Sequence, residues 1–168
     1  MKVYSLFLLS LLSLHSACTA QSDETPPENW CIQKATDQDR NDVFITANLG
    51  YKDYAHKADF PWCIAVNITT VNKNPGGYPT RAEAPVLDAT EDIITEALRK
   101  AGAVQYVGRV TVKGYRELYY FVPDPEKANT ILTRLTKEQQ PRAWEYEIDE
   151  DAKWERVASF FSGTPNCL

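Results

Sequence analysis

Between residues 60 and 148 the hydrophobic pattern alternates between a period of two and a period near 3.6, and this order constrains the fold more than any other feature. Residues 60–71 place Trp62, Ile64, Val66 and Ile68 on one side and Cys63, Ala65, Asn67 and Thr69 on the other, which predicts a strand with one buried face. Asn74-Pro75-Gly76-Gly77-Tyr78 reads as a turn. Thr80-Arg81-Ala82-Glu83 has the capping-box pattern, and Leu87, Thr90, Ile94, Ala97, Leu98 and Ala101 follow at helical spacing up to Gly102. Pro85 is tolerated only early in a helix, so the regular helix can begin there instead of at Arg81. Residues 103–112 and 115–122 are two β-rich runs joined through Lys113-Gly114, short enough for a tight hairpin. Asp124-Pro125 opens a second helix with Ala128, Ile131, Leu132 and Leu135 as its apolar stripe, Pro141 lies past its end, and residues 143–148 form a last strand.

That order, strand-helix-strand-strand-helix-strand, predicts an α+β sandwich of the ferredoxin-like split βαβ (βαββαβ) kind. Its antiparallel-rich sheet is covered on one face by two helices. Residues 30–35 and 43–49 read as an added N-terminal strand pair around the polar turn 37–42, giving five or six strands. Residues 151–161 carry Trp154, Val157, Phe160 and Phe161 and are expected to pack down as a short helix. Trp30, Trp62, Trp144 and Trp154 are all expected in the core.

Composition then sets the class. The 168 residues, 43% hydrophobic and 24% charged, suit a single domain over residues 30–168. With 18 basic against 23 acidic residues the net charge is −5, and no basic run exceeds Arg99-Lys100, which argues against a nucleic-acid partner. Ahead of the domain, Met1-Lys2 is followed by an apolar stretch over residues 3–14, too short to span a bilayer. This predicts a secretory signal peptide. Two cleavage patterns fit. Ser16-Ala17-Cys18 resembles a lipobox, which would remove residues 1–17 and lipidate Cys18, although His15 stands where that pattern usually has leucine. Cleavage after Ala20 would instead remove residues 1–20 and leave a soluble periplasmic or secreted product. Residues 21–29, with Pro26-Pro27 and no apolar periodicity, are expected to be a flexible linker.

The exported chain keeps Cys31, Cys63 and Cys167, an odd number, so one disulfide and one free thiol are expected, with the three pairings open. Outside the leader His56 is the one histidine. It sits in a polar connection and reads as a solvated loop residue. Neither a multi-histidine metal site nor a Cys-based zinc knuckle is expected, no G-x-S-x-G elbow supplies a nucleophilic serine, and no phosphate-binding glycine motif is present. The run Glu145, Glu147, Asp149, Glu150 and Asp151 reads as a solvated edge strand, because it lacks the order and the glycine of a calcium loop. No cofactor and no metal are expected.

The polar constellation is Arg109, Arg116 and Glu117. In a two-residue hairpin Val112 opposes Tyr115, so Thr111 opposes Arg116 and Val110 opposes Glu117. This puts the two arginines on one sheet face and Glu117 on the other. One reading makes the arginines partners in strand-to-helix ion pairs. The other makes Arg109 and Arg116, with Glu117 nearby and flanked by Tyr120 and Trp144, a site for a small anionic ligand on an open sheet face.

Asn48-Leu49-Gly50, Phe60-Pro61-Trp62, Val107-Gly108-Arg109-Val110-Thr111, Arg116-Glu117-Leu118-Tyr119-Tyr120-Phe121 and Asp124-Pro125-Glu126-Lys127-Ala128 together resemble the bacterial domain of unknown function 695 family. The likeness runs from about Trp30 to Phe161 and includes the acidic stretch from Glu147 to Trp154. That family is loosely similar in fold to the regulator of ribonuclease E activity B group, a resemblance that implies the split βαβ architecture and not an activity. The expected function is a secreted or envelope-anchored, non-catalytic module that binds an unknown protein or a small anionic ligand, touching a membrane only through a lipid on Cys18. The alternative is a hydrolase or transferase with Glu117 as base and the two arginines holding an anion.

Overall fold

The computed structural model describes residues 26–162 and 167–168. The expected leader, Cys18 and residues 21–25 of the expected linker lie outside the described residues. Strands β1 (Trp30–Thr36), β2 (Asp42–Asn48), β3 (Trp62–Thr69), β4 (Gln105–Val112), β5 (Tyr115–Val122) and β6 (Trp144–Glu150) form one antiparallel sheet in the order β1-β2-β4-β5-β3-β6. Helices α1 (Ala84–Ala101) and α2 (Pro125–Leu135) complete an α+β fold, with 3₁₀ segments at Leu49–Tyr51, Lys57–Asp59 and Glu155–Phe161. The spatial order β4-β5-β3-β6 is compatible with the split βαβ expectation.

Local chemistry accounts for the element ends. Asp124 caps α2 by accepting the Lys127 amide at 3.1 Å, and Pro125 fills the first turn. At α1 only half of the capping box forms. The Glu83 amide donates to Thr80 Oγ1 at 3.3 Å, but the Glu83 carboxylate turns elsewhere and the helix starts at Ala84 beside Pro85. The hairpin closes with Val112 opposite Tyr115, and Gly114 takes φ +100° at its turn. A second glycine permits a bulge between Tyr106 and Gly108. A Cβ on Gly108 would lie 2.4 Å from the Thr46 carbonyl oxygen and 2.9 Å from Ala47 Cα, so β2 closes on β4 only with glycine there.

The sheet separates two cores. On the helix side Ile64, Val66, Ile68, Leu118 and Tyr120 pack against Leu87, Ile94, Leu98 and Leu132. On the other side Cys63, Val107 and Phe121 lie with Trp154, Val157 and Phe160 of the segment expected to pack down after β6. This second layer explains why β3 is buried on both sides at Cys63, Ile64, Ala65 and Val66 instead of on one.

One further expectation needs correction. Of the four tryptophans only Trp154 is fully buried; Trp62 and Trp144 are partly buried against the helix-side core, and Trp30, on outermost strand β1, is 44% exposed. Residues 26–29, expected to belong to the linker, touch the domain. Pro26 is buried, the Asn29 amide donates to Asn48 Oδ1 at 2.9 Å, and the Asn29 carbonyl accepts the Leu49 amide at 2.8 Å. Among the described residues no helix is long and apolar enough to cross a membrane.

Candidate functional site

Strands β4 and β5 set the polar constellation through their register. Thr111 pairs with Arg116, Arg109 with Leu118 and Val110 with Glu117, so the arginines share one face and Glu117 points to the other, as the hairpin predicts. The face carrying the arginines is not open. Helix α1 lies over it, with Asp88 and Glu91 one turn apart and aimed at the guanidinium groups.

The result is a shared ion-pair network. Arg116 Nη1 donates to Asp88 Oδ1 at 2.6 Å and to Glu91 Oε2 at 3.2 Å, while Arg109 Nη1 donates to Glu91 Oε2 at 2.7 Å and to Asp88 Oδ1 at 3.2 Å. The Tyr106 hydroxyl donates to the remaining Glu91 oxygen at 2.6 Å. The Arg116 side chain is only 5% exposed and that of Glu91 11%, whereas Asp88 is half exposed at 50%. Burial pulls the Arg109 pKa down, and the Glu91 and Asp88 carboxylates outweigh it, holding the group above its ordinary value. Burial also pushes the Tyr106 phenol well up, and the Glu91 charge reinforces that shift. Two cations and two carboxylates in contact leave the network without net charge, an arrangement suited to fixing α1 on the sheet.

The other candidate residues lie apart from this network's open side. Tyr120 is fully buried, its ring 4.9 Å from that of Tyr106 and its hydroxyl 2.8 Å from Thr95 Oγ1, so it belongs to the core and does not wall an open site. Trp144 shares a row with Arg116, but Ile68 of β3 stands between them. Glu117, across the sheet, accepts the Tyr119 hydroxyl at 2.5 Å and borders a shallow depression with Asn67, Glu145 and Glu147. Glu117 and the arginines therefore cannot meet on one substrate, which removes the geometry that a Glu117-based hydrolase or transferase requires.

Cysteine and histidine fall where the counts allow. Cys31 and Cys167 form a disulfide, and among the described residues Cys63 is the free, buried thiol, pushed up to about 12 by burial and thus a poor nucleophile. His56 sits in the connection after the first 3₁₀ segment, its Nδ1 3.0 Å from Asp59 Oδ2. Among the described residues no group of three or more His, Cys, Asp or Glu side chains is placed to hold a metal ion.

Sequence reasoning missed the acidic half of the network. A signal was present: Asp88 and Glu91 are three residues apart and interleave with Leu87, Thr90 and Ile94, the stripe that faces the sheet. It also missed Glu83, whose carboxylate is bound by Arg142 from a point 59 residues away, a pairing without local trace.

No curated protein and no solved structure matches this chain. A family model described as "Family of unknown function (DUF695)" matches residues 28–162, which contain every strand and helix described above. The chain belongs to that family, and its sheet, its α1-covered arginines and the opposed Glu117 describe one member of it.

Proposed function

We propose that this chain is an exported domain, anchored in the cell envelope through a lipid on Cys18 or released from it, that works by binding a partner and not by catalysis. The observation that carries the second half is the placement of Glu117 on the sheet face opposite Arg109 and Arg116, whose charges are already met by Asp88 and Glu91. A protein partner fits better than a small anion, because an anion at the arginines has to displace two carboxylates. Support for export comes from the leader pattern of residues 1–20 and from the Cys31–Cys167 disulfide, a bond that persists in oxidising compartments.

The test fuses residues 1–29 to a reporter enzyme that becomes active only when its own disulfides form outside the cytoplasm. The expected result is an active reporter: in the membrane fraction and moved to the soluble fraction by Cys18→Ala where the lipid anchors it, or in the soluble fraction from the outset where cleavage follows Ala20. An inactive reporter retained in the cytoplasm overturns the reading.

A further inference from the structure

Strand β1 pairs with β2 along one edge only, and its other edge is the outer border of the sheet. The Asn29 carbonyl accepts the Leu49 amide, so by alternation Cys31, Gln33 and Ala35 direct their backbone groups at β2, and Trp30, Ile32 and Lys34 direct theirs outward. Outward-facing backbone on an edge strand is a template for adding another strand unless something covers it. The side chains add to the hazard: Trp30 is 44% exposed and Ile32 46%.

Something does cover the middle of this edge. The Leu168 amide donates to the Ile32 carbonyl at 2.8 Å, occupying the outward group midway between Trp30 and Lys34. One residue earlier, Cys167 is bonded to Cys31, whose side chain is directed to the opposite side of β1 from Ile32 and is 2% exposed. Leu168 itself is 74% exposed, and neither core cluster contains Cys31, Cys167 or Leu168. Among the described residues, Cys167–Leu168 is joined to β1 by one covalent bond and one backbone hydrogen bond, and both residues are exposed. Cys167 is also exposed, so its sulfur is the approachable end of the bond.

We propose that Cys31–Cys167 is a redox latch: its reduction by a dithiol releases Cys167–Leu168 from the outer edge of β1 while the sheet and both cores stay folded. The exchange is balanced. A dithiol thiolate bonds to Cys167 Sγ, the disulfide breaks, and Cys31 leaves as a thiolate that takes up a proton. The second dithiol sulfur then displaces Cys167 from the mixed disulfide, so the dithiol is oxidised to its own disulfide and both cysteines end as thiols. The latch acts at the edge of the sheet, whether or not the chain is exported or binds a partner.

Cys63 makes the test internal to the molecule. It lies between β3 and the second core, so it reacts with an alkylating agent only when that core opens. After treatment with a dithiol and without denaturant, the expected result is rapid alkylation at Cys167, none at Cys63, fast hydrogen exchange at the Leu168 amide, and unchanged protection of the β3–β5 ladder. Cys167→Ser should reproduce the open form, with fast Leu168 exchange and an unreactive Cys63. Alkylation of Cys63 together with Cys167, or loss of ladder protection in the serine variant, overturns the latch and makes the bond a staple for the whole fold. Slow Leu168 exchange after complete reduction also overturns it.

Discussion

Replacing Glu83 by Ala is expected to lower stability by about 3–5 kcal/mol, the cost of breaking a buried ion pair on one side. Glu83 is 0% exposed and ties three segments together. Its Oε1 accepts the Val71 amide at 2.9 Å, beyond the end of β3, and Arg142 Nε at 2.7 Å, ahead of β6. Its Oε2 accepts Asn72 Nδ2 at 2.8 Å and Arg142 Nη2 at 2.6 Å. Without the carboxylate the Val71 amide loses its partner and the Arg142 guanidinium, 16% exposed, loses its counter-charge. The same contacts give a pH signature. Hydrogen bonds from Arg142 hold the Glu83 carboxyl at about 2 against an ordinary value of 4.5, outweighing the opposing effect of burial. A folded-state pKa below the unfolded one contributes stability that is complete above about 4.5 and is lost as the pH falls toward 2. Urea unfolding at pH 7 and pH 3 checks both points: the parent should weaken between them, and Glu83→Gln should be weaker at pH 7 and less pH-dependent. Equal stability of parent and Glu83→Ala at pH 7 contradicts the assignment.

Trp154→Ala is expected to cost a similar amount, about 3–5 kcal/mol, by emptying the centre of the second core. Trp154 is 1% exposed and stacks on Phe121 with ring centroids 4.0 Å apart and planes 14° from parallel. Its indole N–H donates to the carbonyls of Phe60 at 3.1 Å and Lys57 at 3.2 Å, tying the connection before β3 to the segment after β6. The backbone supports the same conclusion, since Trp154 holds φ +59°, a left-handed conformation that a bulky residue keeps only under strong packing. Trp154→Phe should fall between the two, keeping the ring contact and losing the indole donor. Denaturant unfolding gives the magnitudes, and alkylation of Cys63 under native conditions gives the site. A Trp154→Ala protein within about 1 kcal/mol of the parent, with Cys63 still unreactive, contradicts this placement of the core.

The sequence made the element order legible because each element carries its own local marks. The alternation around Ile64 and Val66, the stripe through Leu87, Ile94 and Leu98, and the Asp124-Pro125 start depend only on near neighbours. The register of the β4–β5 hairpin was legible for the same reason, since a two-residue turn fixes it and with it the common face of Arg109 and Arg116. What covers that face was not legible. The periodicity of α1 shows an apolar stripe but not which strands lie beneath it, so the contact of Asp88 and Glu91 with the two arginines is a tertiary fact. Trp30 misled for a related reason: aromatic residues are usually buried, but β1 is the border of the sheet. Glu83 followed the local capping rule only in part, because Arg142 and the exit of β3 compete for its carboxylate. Cysteine pairing depended on Cys167 reaching β1, a distance that spacing along the chain does not encode.

Arg109 and Arg116 are architecture that clamps α1 to the sheet. A double-mutant cycle of Arg116→Met and Glu91→Gln, read by urea unfolding at pH 7, tests this most directly. The predicted result is a loss of about 1–3 kcal/mol for each single variant, as for hydrogen bonds to charged groups. The double variant should show a coupling above roughly 0.5 kcal/mol. Single variants as stable as the parent, with no coupling between them, would contradict the clamp and return both arginines to the role of a ligand site.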